Sequence, residues 1–222
     1  MVEGKDSRVR KVEDLELRES VRLWLSSPTG LNCGVMPPTL NALQDPRPDI
    51  LGIKHIGGDL CGDFEVVTVL VRPSTKRFVS VAGQTSAQRL QADRVYLACF
   101  MAEERFTESQ TEVALRLGIG LVRIDANLDC HRDVPAPIAS PSLRTRRELL
   151  NQVGFVECQL CQIAFSYSLG EETNNEASVL WNEIWADRQG RLRNETVSDR
   201  RYLCPDCTQN LKTLSSSPKE SF

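Results

Sequence analysis

The chain has 222 residues, 41% of them hydrophobic and 26% charged, with a formal net charge of −3. That composition describes an ordinary globular protein and excludes a uniformly basic polyanion clamp, so any contact with nucleic acid has to be local. No apolar run approaches the roughly 20 residues of a membrane span, and the first residues mix charges of both signs without an apolar segment, so neither a membrane nor a secretory address is expected.

A helix is predicted over 12–25, where Leu17, Val21, Trp24 and Leu25 fall on one face. Ser26, Ser27 and Pro28 stop it. Glu19 within it reads as a solvated charge on an amphipathic helix. The stretch 29–47 is proline-rich and reads as loop. A short apolar strand follows over 49–54, with Asp49 as its first residue. A glycine-rich turn carrying Asp59 and Asp63 leads to 64–72, a β-branched run expected as a central strand buried on both faces. After a turn at 73–76, a short third strand or strand end is predicted over 77–81 and a helix over 84–91, opened by Gly83 and Gln84.

A buried strand over 93–100 comes next. Thr107 and Gln110 form a capping-box signature for a helix through Leu117, closed by Gly118, and 119–124 supplies the return strand. Strand, helix, strand, helix, strand implies right-handed crossovers and parallel pairing, with the strands at 49 and 64 as an antiparallel pair. The expected architecture is α/β, a mixed central sheet flanked by helices.

The domain reading is 1–126 for this α/β unit, 127–142 for a linker carrying Pro135, Pro137 and Pro141, 143–212 for a cysteine-bearing module, and 213–222 for a serine-rich disordered tail. Ser142 or Ser140 caps a helix at the head of the module, containing Arg144, Arg146, Arg147, Leu149 and Leu150 and ended by Gly154.

Four pieces in order carry a family likeness: 48–53 with Pro48-Asp49, the strand end 69–74 with Leu70 and Arg72, Gly83-Gln84 opening a helix, and 92–98. Together they resemble the core of the PD-(D/E)xK nuclease superfamily, the restriction-endonuclease-like fold. The resemblance implies that Asp49, an acid-x-Lys pair at the end of the next strand, and Gln84 line a cleft that cuts phosphodiesters with magnesium or manganese. The acid and lysine positions hold Leu70 and Arg72 instead. Leucine offers no oxygen to a hard cation, and arginine stays protonated although it still binds phosphate. Glu65 is the nearest replacement acid, but alternation puts it on the opposite strand face from Leu70 and Arg72 unless a bulge intervenes.

In a chain expected to be cytoplasmic, eight cysteines point to reduced thiols or metal ligands. Cys158-x-x-Cys161 and Cys204-x-x-Cys207 are two knuckles suited to tetrahedral zinc, and they resemble zinc-ribbon or treble-clef sites. Their separation exceeds the ~15–20 residues of a compact ribbon, so an inserted element is expected. A helix over 176–188 fits, with Leu180, Trp181, Ile184 and Trp185 as its apolar stripe. Arg144, Arg146 and Arg147 before the first knuckle, and Arg191, Arg193 and Arg201 beside the second, are candidate phosphate contacts, or else a solvated basic face around structural zinc.

Three functions stay open at this level. One is a catalytically impaired nuclease fold that binds nucleic acid or a partner protein. Another is an active metal-dependent nuclease using Asp49 with Glu65. The last is a structural zinc protein serving protein contacts.

Overall fold

The computed structural model describes residues 13–34, 47–55, 64–158, 160–166 and 203–216. Helix α1 (Asp14–Ser26) opens on a capping box between Glu13 and Glu16 and buries Leu17, Val21, Trp24 and Leu25, the stripe its periodicity predicts. Strand β1 (Ile50–His55) pairs antiparallel with β2 (Phe64–Arg72), and β2 pairs parallel with β3 (Arg94–Phe100). Strand β4 (Gly120–Ile124) continues the parallel set, and β5 (Cys130–Val134) closes the sheet antiparallel. Strand order follows chain order, β1-β2-β3-β4-β5. The mixed sheet flanked by helices is the architecture expected from the pattern.

Alternation along β2 divides the interior into two cores. Val67, Val69 and Val71 face α1, where they join Leu17, Val21, Leu25 and Tyr96, and Trp24 meets the Tyr96 ring edge-on at 6.0 Å. Phe64, Val66 and Leu70 face the other way, into a cluster with Phe78, Ala82, Ala114 and Ile119 from helices α2 (Phe78–Ala87) and α3 (Glu108–Leu117) and their flanks. Helix α3 begins and ends as expected. Thr107 accepts from the Gln110 N–H, and Gly118 takes the left-handed conformation at φ 66°.

The α/β unit and the stretch after it depart from the sequence reading in two places. Residues 78–81 are the first turn of α2, not a third strand. Arg77, left-handed at φ 56°, turns the chain into the helix. Phe78, Ala82 and Thr85 are then buried at helical spacing. The second departure lies in the stretch read as linker, which contains β5. This edge strand exposes His131, Arg132 and Asp133, so no apolar alternation marks it. Beyond it the proline-rich chain is pinned against the strand starts: Arg94 Nη1 donates to the Ala136 carbonyl at 2.8 Å, and the Ala139 N–H to the Asp93 carbonyl at 2.7 Å.

Helix α4 (Leu143–Gln152) starts at Ser142, whose hydroxyl accepts from the Thr145 N–H. Its Leu149 and Leu150 enter the same core as Leu70 and Phe78, together with Phe155 and Ala164 from the hairpin β6 (Phe155–Glu157) and β7 (Ala164–Ser166). Helix α5 (Pro205–Ser216) is the last described element. The predicted helix over 176–188 lies outside the described residues, and of the tail read as disordered over 213–222 the described part, 213–216, is the last turn of α5. Among those described, no helix is long and apolar enough to cross a membrane.

Because Leu149 fills the sheet's own core, Leu149→Ala should destabilise the whole chain by about 2–5 kcal/mol. Chemical denaturation followed by both far-ultraviolet circular dichroism and tryptophan fluorescence checks this. A loss confined to a separate second transition would contradict the shared core.

Candidate functional site

At the end of the sheet where β1 begins and β2 finishes, Asp49 sits opposite Leu70 by the antiparallel register, one residue before the Ile50–Val69 pair. Its Oδ2 accepts the Val71 N–H at 2.8 Å and Arg72 Nη1 at 3.0 Å. Its Oδ1 pairs with Arg18 Nη2 from α1 at 2.8 Å. Arg72 Nη1 also donates to the Val71 carbonyl at 2.7 Å. The Asp49 side chain is only 12% exposed, against 48% for Arg18 and 32% for Arg72. Two guanidiniums and one backbone N–H therefore occupy the carboxylate that the family likeness assigns to a metal. Leu70 is packed in the core beneath it.

The other two candidates for that cleft lie elsewhere. Glu65 is buried at the opposite end of β2, beside Lys54, and is gripped by Arg94 through Nε at 2.9 Å and Nη2 at 3.1 Å. Five residue steps separate it from Leu70, the position facing Asp49, roughly 16 Å at strand rise. One cation cannot bind both acids at bonding distances near 2 Å. Parity holds along β2 without a bulge, so the strand does not bring Glu65 round to Asp49. Gln84 is exposed in the second half of α2. The structure joins Asp49 with Arg72, adds Arg18, and does not gather Glu65 or Gln84 to them. Arg18 was missed by sequence reasoning, because nothing in an exposed helical arginine announces which strand end it reaches.

The three arginines of α4 are each engaged by a carboxylate of the chain. Arg144 pairs with Glu148 one turn on, and Arg147 with Glu157 of β6 at 2.9 Å. Arg146 is largely buried, 4.6 Å over the Phe64 ring and 3.6 Å from Asp93 Oδ2. Burial pushes the Asp93 carboxyl above its ordinary range, while the Val66 N–H and Arg146 pull it back. Arg146 is thus a clamp between α4 and the sheet. Arg191, Arg193 and Arg201 lie outside the described residues.

The cysteines converge. Cys158 and Cys161 sit on the turn of the β6–β7 hairpin, and Cys204 and Cys207 flank the first turn of α5. The four sulfurs lie within 4.8 Å of one another, with Cys161 and Cys204 Sγ 3.6 Å apart. The second pair opens a helix, where a ribbon would have a second hairpin turn. Leu203, Val156 and Phe165 pack around the sulfurs.

Backbone donors aim at the sulfurs: the Cys204 N–H at Cys158 Sγ (3.3 Å) and the Cys207 N–H at Cys204 Sγ (3.5 Å). Burial raises the Cys158 thiol, but N–H groups of Cys161, Cys204 and Leu160 outweigh it and hold the group below the usual thiol range. Burial pushes Cys204 up to about 11 and Cys207 higher still, helped by the neighbouring sulfurs. Crowded thiolates repel unless a cation sits among them, and a soft tetrahedral set of this size fits one. These residues can hold a metal such as zinc. By contrast Cys33 and Cys99 are buried single thiols pushed up to about 12 by desolvation, and Cys130 behaves likewise.

Since Phe155 and Ala164 of the knuckle hairpin belong to the main core, stripping metal should lower the melting midpoint of the sheet as well as the hairpin. A fall of roughly 10 °C or more is expected, on a scale of about 2–4 °C per kcal/mol for chains of this size. Cys204→Ser should reproduce it. Elemental analysis together with melts before and after a strong chelator provides the check, and metal-free protein with unchanged melts would refute the site. No family model, curated protein or solved structure matches the chain, so its function has to be argued from these residues.

Proposed function

We propose that the chain is a PD-(D/E)xK-like nuclease fold that no longer hydrolyses phosphodiesters and instead binds nucleic acid, with a structural zinc in its four-cysteine site. The order α1, antiparallel β1–β2, crossover α2, parallel β3 supports the family likeness, as does the acid at the start of β1 beside the end of β2.

The observation that carries the loss of catalysis is the coordination of Asp49. Its oxygens are taken by Arg18, Arg72 and the Val71 N–H. A magnesium ion would have to displace two charge-assisted contacts from a group already shielded from water, and Leu70 brings no second carboxylate to offset that cost. Without two acids on the cation, neither a metal-bound hydroxide nor a clamp on the leaving oxygen can be assembled. The zinc assignment follows from ligand number: four sulfurs complete a tetrahedron and leave no open position for substrate.

Labelled single- and double-stranded DNA and RNA incubated with magnesium or manganese should show no cleavage above that of Asp49→Ala, while fluorescence anisotropy without either ion shows salt-dependent binding. Robust turnover that disappears in Asp49→Ala would overturn the non-hydrolytic reading.

A further inference from the structure

The described ion pairs at the strand starts and on α4 are closed one-to-one: Glu65 with Arg94, Glu157 with Arg147, Glu148 with Arg144. The group at Asp49 differs. Two guanidiniums share one carboxylate, leaving a net charge of about +1 at the strand end. Both arginines are partly open to solvent while the acid between them is not. Each guanidinium carries five N–H donors in a fixed fork. Asp49 and the Val71 carbonyl use Nη1 of Arg72, and Asp49 uses Nη2 of Arg18. Among the described residues, Nε and Nη2 of Arg72 and Nε and Nη1 of Arg18 make no hydrogen bond.

Side chains of this type normally cost rotamer entropy when they are ordered on a ligand. Here Asp49 already holds Arg72 from the strand by a hydrogen bond and draws Arg18 from the helix by an ion pair. The pair also stands at the carboxyl ends of the parallel strands β2, β3 and β4, which all finish at this end of the sheet.

We infer that Arg18 and Arg72, held by Asp49, form a metal-independent receptor for one backbone phosphodiester of a nucleic-acid strand. The inference rests on the nucleic-acid reading above and assigns its contact point. Charge selects the ligand class: a net +1 matches the single charge of a phosphodiester better than the double charge of a phosphate monoester. Openness selects the polymer. Small-molecule sites bury 70–90% of their ligand, whereas these arginines are 48% and 32% exposed and suit a strand lying across them. The guanidinium fork gives a bidentate fit to phosphate oxygens that lysine cannot make.

The test uses zinc-loaded full-length protein, a fluorescein-labelled single-stranded oligothymidylate, and no added magnesium or manganese. Arg18→Gln and Arg72→Gln should each weaken binding about tenfold. Because each removes part of one phosphate contact, the slope of log K against log salt should shrink by about 0.7 or less. Arg18→Lys should keep the slope and recover only part of the affinity. Arg116→Gln, exposed on α3, should bind as the unaltered chain does, and circular dichroism confirms that each variant folds. In the unaltered chain, the Nε–H resonances of Arg18 and Arg72 should shift on adding the oligonucleotide, which keeps the test decisive if a variant unfolds.

An unaltered chain that binds the oligonucleotide with both glutamine variants binding equally well, or with both Nε–H resonances unmoved, would overturn this receptor and leave the broader function standing. No binding by the unaltered chain would remove both. Inorganic phosphate shifting the two resonances at lower phosphate concentration than the oligonucleotide would reassign the site to a small free anion and likewise overturn the inference.

Discussion

Strand β2 has no solvent face. Residues Phe64 to Val71 are all buried, half against α1 and half against α2 and α3, so a charge along it must be paired, and the one uncharged polar side chain, Thr68, keeps its hydroxyl without a hydrogen-bond partner among the described residues. Charge can enter only where the strand meets the sheet's edges. Glu65 enters near its start and Arg72 at its end, and each is met by a partner of opposite sign from a neighbouring element. The positions of both polar sites follow from that constraint. It also explains why Leu70, in the register where a nuclease would carry an acid, is simply a core residue: a carboxylate there needs a cation or a donor to compensate burial, and an alkyl group needs neither.

At the start of β2, polar contacts gather the later chain onto the sheet. Glu65 holds Arg94, Arg94 holds the Ala136 carbonyl, and Asp93 fixes Ala139 through its backbone. Arg146 of α4 then spans Asp93 and the Phe64 ring. Buried pairs of this kind contribute little net stability once desolvation is counted, but breaking one leaves a charge stranded. Their effect is geometric. They hold the proline-rich segment and α4 against the strand starts, and the leucines of α4 supply the burial.

Much of this was legible in the sequence, for stated physical reasons. The 3.6-residue stripe of α1, the capping box and left-handed glycine of α3, the β-branched run of β2 and the two Cys-x-x-Cys turns each impose a local geometry that survives folding. The failures were equally specific. Phe78-Val79-Ser80-Val81 has the composition of a strand, and only the burial of Ala82 and Thr85 beyond it reveals the helical period. Strand β5 is polar because its side chains face solvent at an edge, and its pairing is made by backbone groups that carry no sequence signal. Arg18 reaches Asp49 from a helix that precedes the whole sheet, a separation in sequence over which no local pattern acts. Arg146 is visible beforehand as a basic residue but not as a buried one, because its burial depends on Phe64 and Asp93 far upstream.

Both ends of β2 carry charged groups. Arg146, on the helix that leads to the cysteine-bearing hairpin, rests on Phe64, while Asp49 and its arginines close on Val71 and Arg72. Phe64 and Arg72 stand eight residue steps apart along the strand, roughly 26 Å. A metal at the cysteines is no ligand of Asp49 or its arginines. What it can do is hold the β6–β7 hairpin, hence Phe155 and Ala164, hence the core on the α2 side of β2. Since β2 is shared by both cores, loosening that side loosens the strand end on which Arg72 is mounted. An influence of the metal on ligand binding that runs through the stability of the sheet should grow as temperature or denaturant brings the sheet closer to unfolding.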